Sequence, residues 1–195
     1  MVSKGPWKDL AAHFEYHPRA VEGKNTNELW TSFPAERGRL TVFGKPARVP
    51  RDEVVMSRSE VVYHYSNHTV PRCSFTPVVE ALRLEANRLA TVALGRPVDY
   101  TWVLLNGYRD GQDGVGWHAD DEPTIDPSYP IVSLSFGASR DFDVKRLCDG
   151  RRYRITLHDG DALIMLPGAQ ALYQHQVPKR AHAGPRLNLT FRVHA

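Results

Sequence analysis

The stretch Arg186-Leu187-Asn188-Leu189-Thr190-Phe191-Arg192-Val193 alternates polar and apolar residues without a break. A period of two marks a β-strand whose faces look at different surroundings. Leu187, Leu189, Phe191 and Val193 form a wholly apolar face, which must be core. The other face carries Arg186, Asn188, Thr190 and Arg192. If it too is buried it needs anionic partners, because an unpaired guanidinium away from water is costly. Strand rise separates the two arginines by roughly 20 Å. With each side chain reaching back about 6 Å, a gap of about 8 Å remains. A five-carbon dicarboxylate fits such a gap, and guanidinium suits a bidentate grip on carboxylate.

A second pattern precedes this strand. His118 and Asp120 are two residues apart, so on extended chain both side chains leave one face. The distant His175, lying between an apolar strand and the arginine strand, is the residue that folding would have to bring in. Two histidines and a carboxylate occupy one side of a six-coordinate metal and leave three positions open, the non-haem Fe(II) pattern. The same donors also suit a zinc hydrolase, although that reading leaves the arginine strand without a purpose. Of nine histidines, His13, His17, His64, His68, His158, His182 and His194 lack comparable partners. His158, beside Asp159 and Asp161, is the nearest substitute.

Chain length and pattern set the frame. One hundred and ninety-five residues suit one domain with a self-sufficient core. Trp7, Leu10, Ala11 and Phe14 recur at helical spacing behind Pro6. Thr76 and Pro77 open a longer helix with a stripe of Val79, Leu82, Ala86, Leu89 and Ala93, and Gly95 and Pro97 end it. Strands are expected at 39–43, 61–65, 100–108, 131–136, 141–144, 153–157 and 162–166. The glycine-rich segment 110–116 fails as an EF-hand loop and reads as a hairpin leading to His118. Many short strands after an early helical region predict an α+β, mainly β fold, a double-stranded β-helix or jelly roll, with N-terminal helices buttressing the sheet. Residues 37–75 are expected to form a lid and 98–195 the core. Cys73 and Cys148 form no zinc or disulfide pattern, and no signal sequence or membrane-spanning run is seen. A soluble intracellular monomer with no membrane partner is expected.

Charge is unevenly spread over a net +3. Arg37, Arg39, Lys45, Arg48 and Arg51 cluster without an acid between them. Arg140, Lys145, Arg146, Arg151, Arg152 and Arg154 cluster against three acids. Asp110, Asp113, Asp120, Asp121, Glu122 and Asp126 crowd the expected metal site. Basic flanks beside an acidic centre suit a nucleic-acid enzyme, and charge runs of this kind are also ordinary solvated loops.

Asn106-x-Tyr108, His118-x-Asp120, His175 and Arg186-x-Asn188-x-x-x-Arg192 together resemble the AlkB family of Fe(II)- and 2-oxoglutarate-dependent dioxygenases, over about Val42 to Arg192. Val42-Phe43-Gly44-Lys45, Val49-Pro50-Arg51 and Ser135-Phe136-Gly137 resemble the nuclear DNA-repair branch of animals. The resemblance implies Fe(II) on His118, Asp120 and His175, with O2 and 2-oxoglutarate as co-substrates. It places Arg186, Tyr108 and Asn188 on the far carboxylate, and Arg192 and Asn106 near the keto-acid end. It further implies oxidative demethylation of bases such as 1-methyladenine and 3-methylcytosine in DNA, duplex favoured over single strands, yielding succinate and formaldehyde. Compartment follows source: nucleus in a eukaryote, cytoplasm in a bacterium.

By the same resemblance Phe43 is a wedge entering the duplex, Arg51 lies near the flipped nucleotide, Tyr65 stacks on the extruded base opposite His118, and Tyr63 offers its hydroxyl nearby. Asp121 and Glu122 face a cationic lesion. Taken alone, these residues also have plain readings: a strand-end phenylalanine in the core, a cross-strand aromatic pair, solvated turn acids. RNA, protein or a small molecule remains an alternative substrate, and a nucleic-acid-binding module with a structural metal an alternative class. The Lys145 to Arg152 loop is shorter than its counterpart in the nuclear branch, which grips the opposite strand.

Overall fold

The computed structural model describes residues 7–42 and 44–195. Helix α1 (Trp7–Leu10) leads to strand β1 (Phe14–His17). After a 3-10 turn at Asn27–Ser32 come a hairpin of β2 (Arg39–Val42) and β3 (Lys45–Arg48), strand β4 (Asp52–Ser57), a small hairpin of β5 (His64–Tyr65) and β6 (His68–Thr69), and β7 (Arg72–Cys73). Helix α2 (Pro77–Leu94) is followed by β8 (Trp102–Tyr108), β9 (Val115–His118), β10 (Ile131–Gly137), β11 (Arg140–Arg146), β12 (Arg152–Leu157), β13 (Ala162–Met165), α3 (Ala169–Leu172), β14 (Tyr173–Val177) and β15 (Arg186–Arg192).

Two sheets form the body. The major one has strand order β1-β13-β10-β15-β8-β4-β7, and the minor one β12-β11-β14-β9. Val55, Leu104 and Tyr108 of the major sheet share one apolar cluster with Phe142, Val144, Ile155 and Val177 of the minor sheet, which makes the sandwich of a jelly roll. Leu105, Leu134, Leu187, Leu189 and Phe191 point the other way and pack with Val79, Leu82, Ala86 and Leu89 of α2. Helix α2 is set as its ends predict: Thr76 Oγ1 accepts from the Val79 N–H, and Gly95 takes a left-handed φ of 73° while its N–H donates to the Thr91 carbonyl.

Strand β15 lies between β10 and β8 with every residue buried. Its apolar half covers α2 and its polar half faces the space between the sheets, which is where the site forms.

Four local expectations change. Phe14 belongs to a strand, because pairing with Met165 at the sheet edge outweighs its helical spacing. Residues 61–63 are not in a strand; only His64–Tyr65 is. The 110–116 segment is not a hairpin but a crossing between sheets, since β8 and β9 belong to different ones. Its glycines allow the chain to pass close by: a Cβ on Gly111 would lie 2.2 Å from the Arg180 carbonyl oxygen, and one on Gly114 2.7 Å from that of Val177. Finally, the expected lid contributes β4, wholly buried, to the major sheet.

Candidate active site

Antiparallel pairing builds the metal-ligating group from two strands. His175 on β14 stands opposite His118 on β9, and Asp120 follows just past the end of β9, its N–H donating to Gln170 Oε1. One donor atom from each of His118, Asp120 and His175 falls within 4.8 Å of the others. His118 Nδ1 is 2.8 Å from the Gly116 carbonyl, so Nδ1 carries the proton and Nε2 keeps its lone pair. Asp120 Oδ1 lies 3.6 Å from that Nε2 and 4.0 Å from His175 Nε2, while Oδ2 accepts from Arg192 Nη2 at 2.7 Å. Burial alone would raise the Asp120 carboxyl, but Arg192 and both imidazoles outweigh it and hold it well below the usual carboxylate range. Burial, followed by the neighbouring His118, pushes His175 down to about 3. A neutral His175 imidazole beside an ionised Asp120 is the protonation state that metal ligands need.

The polar face of β15 lines the same cavity, of about 570 Å³. Register sets Arg186 opposite Tyr108 and Asn188 opposite Asn106. Arg186 is 1% exposed; Nη2 donates to Ser135 Oγ, while Nε and Nη1 have no protein partner among the described residues. Arg192 differs. Its charge is met by Asp120, so among the described residues the expected clamp between two free guanidiniums reduces to one without an acidic partner, Arg186. Asn188 is also engaged: its amide donates to Ser133 Oγ and the Leu134 carbonyl, and its oxygen accepts from Thr190. Asn106 Oδ1 accepts from Arg51 Nε at 2.6 Å.

The cavity is also lined by Tyr63, Tyr65, Arg51 and Glu122. The two tyrosine rings are 5.6 Å apart, and the Tyr63 hydroxyl donates to Glu122 Oε1 at 2.7 Å. Burial, then Asp120, raises the Glu122 carboxyl above its ordinary value. Asp121 is not brought in; it is exposed and lines only the adjacent cavity. Phe43 lies outside the described residues.

Comparison with known proteins places this geometry. The 2OG-Fe(II) oxygenase superfamily model matches residues 16–192. DNA oxidative demethylase ALKBH2 of Mus musculus is 35% identical over 169 residues, covering 82% of this chain and 68% of that protein. This chain belongs to the AlkB family of 2OG-Fe(II) oxygenases. ALKBH2 of Homo sapiens is 34% identical, with 62% of its length covered. The alpha-ketoglutarate-dependent dioxygenase alkB homolog 3 of Mus musculus is 37% identical over 157 residues, covering 74% of this chain and 52% of that protein. The aligned region thus spans about half to two thirds of these relatives. A solved structure titled "The structure of OsALKBH1" superposes with a TM-score of 0.66 over 93% of this chain and 97% of the other at 17% identity, a likeness of fold.

Membership of the AlkB family implies Fe(II), 2-oxoglutarate and O2. No described helix of this AlkB-family chain is long and apolar enough to cross a membrane. Its basic clusters divide on inspection. Arg37 pairs with Asp52 and Asp113, and Arg51 with Glu53. Arg140 is buried under backbone carbonyls, and Arg146, Arg151 and Arg154 each meet an aspartate. Arg39, Lys45 and Arg48, exposed on the β2–β3 hairpin, have no ion pair among the described residues. Lys145 and Arg152 lie 4.9 and 5.6 Å from the ring centre of Trp117. Sequence reading missed Glu53, buried behind the cavity-lining Tyr65 and Arg51; acids at the start of an otherwise apolar run look like a loop.

Proposed function

We propose that this chain is an oxidative demethylase of N-alkylated bases in DNA, acting on 1-methyladenine- and 3-methylcytosine-type lesions. One observation carries most weight: a buried guanidinium with two unused donors, Arg186, opens into the cavity that also holds His118, Asp120 and His175. That donor set fits Fe(II), and Arg186 with Tyr108 fits the far carboxylate of 2-oxoglutarate. Bound there, iron with 2-oxoglutarate and O2 would supply the oxidising power that turns an N-methyl group into a hydroxymethyl group, which leaves as formaldehyde, while the keto acid loses CO2, takes up the other oxygen atom and becomes succinate.

The chain's own residues do the rest. Arg192 fixes Asp120 so that Oδ1 faces the histidines, and Gly116 fixes His118 with Nε2 inward. Phe142, stacked 4.9 Å from His175, keeps water from that ligand. Asn106 and Arg192 flank the keto-acid end. Tyr65 and the His118 imidazole line the same cavity and are the two faces between which the base would lie, and Glu122 is the carboxylate that favours a cationic methylated base over a neutral one. Arg39, Lys45 and Arg48 face phosphate, and the likeness of the sequence Val42-Phe43-Gly44 to the nuclear branch supports a preference for duplex through a Phe43 wedge.

The test is repair of 1-methyladenine in matched duplex and single-stranded oligonucleotides with Fe(II), 2-oxoglutarate and ascorbate, comparing Phe43→Ala. Formaldehyde release that depends on the lesion is expected, with a Phe43→Ala defect confined to duplex. Succinate release indifferent to every methylated oligonucleotide refutes the substrate; equal activity of the variant on both forms refutes the wedge.

A further inference from the structure

Behind the base slot lies a cluster that the proposed chemistry leaves unused. Glu53 on β4 is 3% exposed. Its carboxylate accepts from the Tyr65 hydroxyl, 2.9 Å from Oε1 and 2.7 Å from Oε2, and Arg51 Nη2 lies 3.1 Å from Oε2. His68 Nε2 lies 2.7 Å from Oε1, although its N–H is not aligned on that oxygen. A carboxylate buried this deeply is costly unless its contacts are kept, and these contacts join the four side chains into one unit.

The unit reaches three parts of the molecule. Through Tyr65 and His68 it holds the β5–β6 hairpin. His68 is wedged beneath the other hairpin: a Cβ on Gly38 would fall 2.1 Å from His68 Cε1, and the Gly38 carbonyl accepts from the Val49 N–H that closes the β2–β3 arm. Through Arg51, whose Nε donates to Asn106 Oδ1, it reaches the co-substrate end, and the register places Glu53 opposite Asn106.

We infer that Glu53 is a positioning residue that ties the two hairpins over the cavity to the co-substrate end, setting the Tyr65 wall of the base slot and the Asn106 amide through one carboxylate. The inference rests on the nucleic-acid reading for its substrate side alone. His68 serves only the hairpin arm of the unit, whereas Arg51 touches Tyr65 as well as Asn106 and so joins both arms.

Two variants separate the arms: Glu53→Gln, which keeps shape and loses charge, and His68→Gln. Two readouts are taken on each: KM for 2-oxoglutarate in succinate release without nucleic acid, and KM and kcat for a methylated single-stranded oligonucleotide. Loss of one charge-assisted buried contact corresponds to roughly tenfold to hundredfold. Glu53→Gln is expected to raise both KM values by about that factor. His68→Gln is expected to raise the oligonucleotide KM alone, and the double variant to be no worse than Glu53→Gln on that readout, because the contacts share one carboxylate.

Additive effects in the double variant, or Glu53→Gln values within about twofold of the parent on either KM, overturn the inference. So does a loss of kcat on both readouts with KM unchanged, the mark of a protein merely unfolding in part; thermal unfolding of each variant identifies that case. If the parent protein turns over no methylated oligonucleotide, the substrate reading fails, while KM for 2-oxoglutarate still decides the Glu53–Arg51–Asn106 arm.

Discussion

Arg186 and Arg140 offer a matched pair for experiment. Each is 1% exposed, and each lies over the Tyr108 ring, at 5.1 and 5.4 Å. Arg140 is spent on structure, donating to the carbonyls of Asp110, Asp113 and Pro178. Arg186 makes one bond, to Ser135. Replacing Arg186 by Met removes that bond and a cation–π contact, each about 1 kcal/mol, and relieves the burial of an unpaired charge, which costs several kcal/mol in a dry site and less where cavity water reaches it. The terms offset, so the protein without co-substrate should melt within about 4 °C of the parent.

Arg140→Met instead strands three carbonyls at about 1 to 3 kcal/mol each, which should lower Tm by about 10 °C or more. Co-substrate reverses the contrast. With Mn(II) replacing Fe(II) to prevent turnover, 2-oxoglutarate at about a hundred times its Kd stabilises the parent by about 2.7 kcal/mol, or about 5 to 10 °C. Truncating one partner of a buried charge pair costs at least about 2 kcal/mol, a factor of about 30 in Kd. At the same concentration, stabilisation of Arg186→Met falls below about 1 kcal/mol. Differential scanning fluorimetry reads all of these values. A full 2-oxoglutarate shift in Arg186→Met, or melting as early as Arg140→Met, would refute the assignment of Arg186 as the carboxylate site.

Three further outcomes follow from the same geometry. Asp120→Ala removes a ligand atom and leaves Arg192 unpaired, so metal content by mass spectrometry and succinate release should both be lost; one iron retained per chain would point to another donor set. Glu122→Gln keeps the Tyr63 contact but not the charge, and should lower kcat/KM for 1-methyladenine about tenfold, with little change for the neutral lesion 1-methylguanine; equal losses would remove electrostatic selection. Asp113 titrates below its ordinary value: burial raises it, and the Arg37 bond with the Arg109 N–H outweighs that. Its stabilisation is therefore complete above the unfolded value of about 4 and is lost as pH falls through the lower folded value. Urea midpoints of Asp113→Asn should lose part of the parent's acid limb; identical slopes would show the pair to be idle.

Much of this was legible because two signals were strong. The alternation at 186–193 fixed which residues could share a cavity, and Thr76 with Gly95 fixed both ends of α2. What escaped depended on distant partners. Strand β4 hides behind Asp52 and Glu53, whose burial makes sense only once Arg37, Arg51 and Arg109 stand opposite. Tyr173–Val177 alternates between buried and half-buried residues, yet its sequence carries no strand signal of its own, because its partners β11 and β9 are distant in the chain. The role expected of Asp121 fell away for a geometric reason: consecutive residues leaving a strand turn to opposite sides, and only Asp120 and Glu122 line the main cavity.

The middle strand of the major sheet comes from residues 186–192, whereas both of its neighbours, β8 and β10, lie far earlier in the chain. During synthesis those neighbours leave the ribosome before the strand that joins them, so the nascent sheet carries an open slot with two unpaired edges, the kind of surface that aggregates or recruits chaperones. Closing it is a single long-range event, slow by the rules of contact order, and the same event delivers Arg186 and Arg192 together. Maturation of the pocket and completion of the fold are therefore one step.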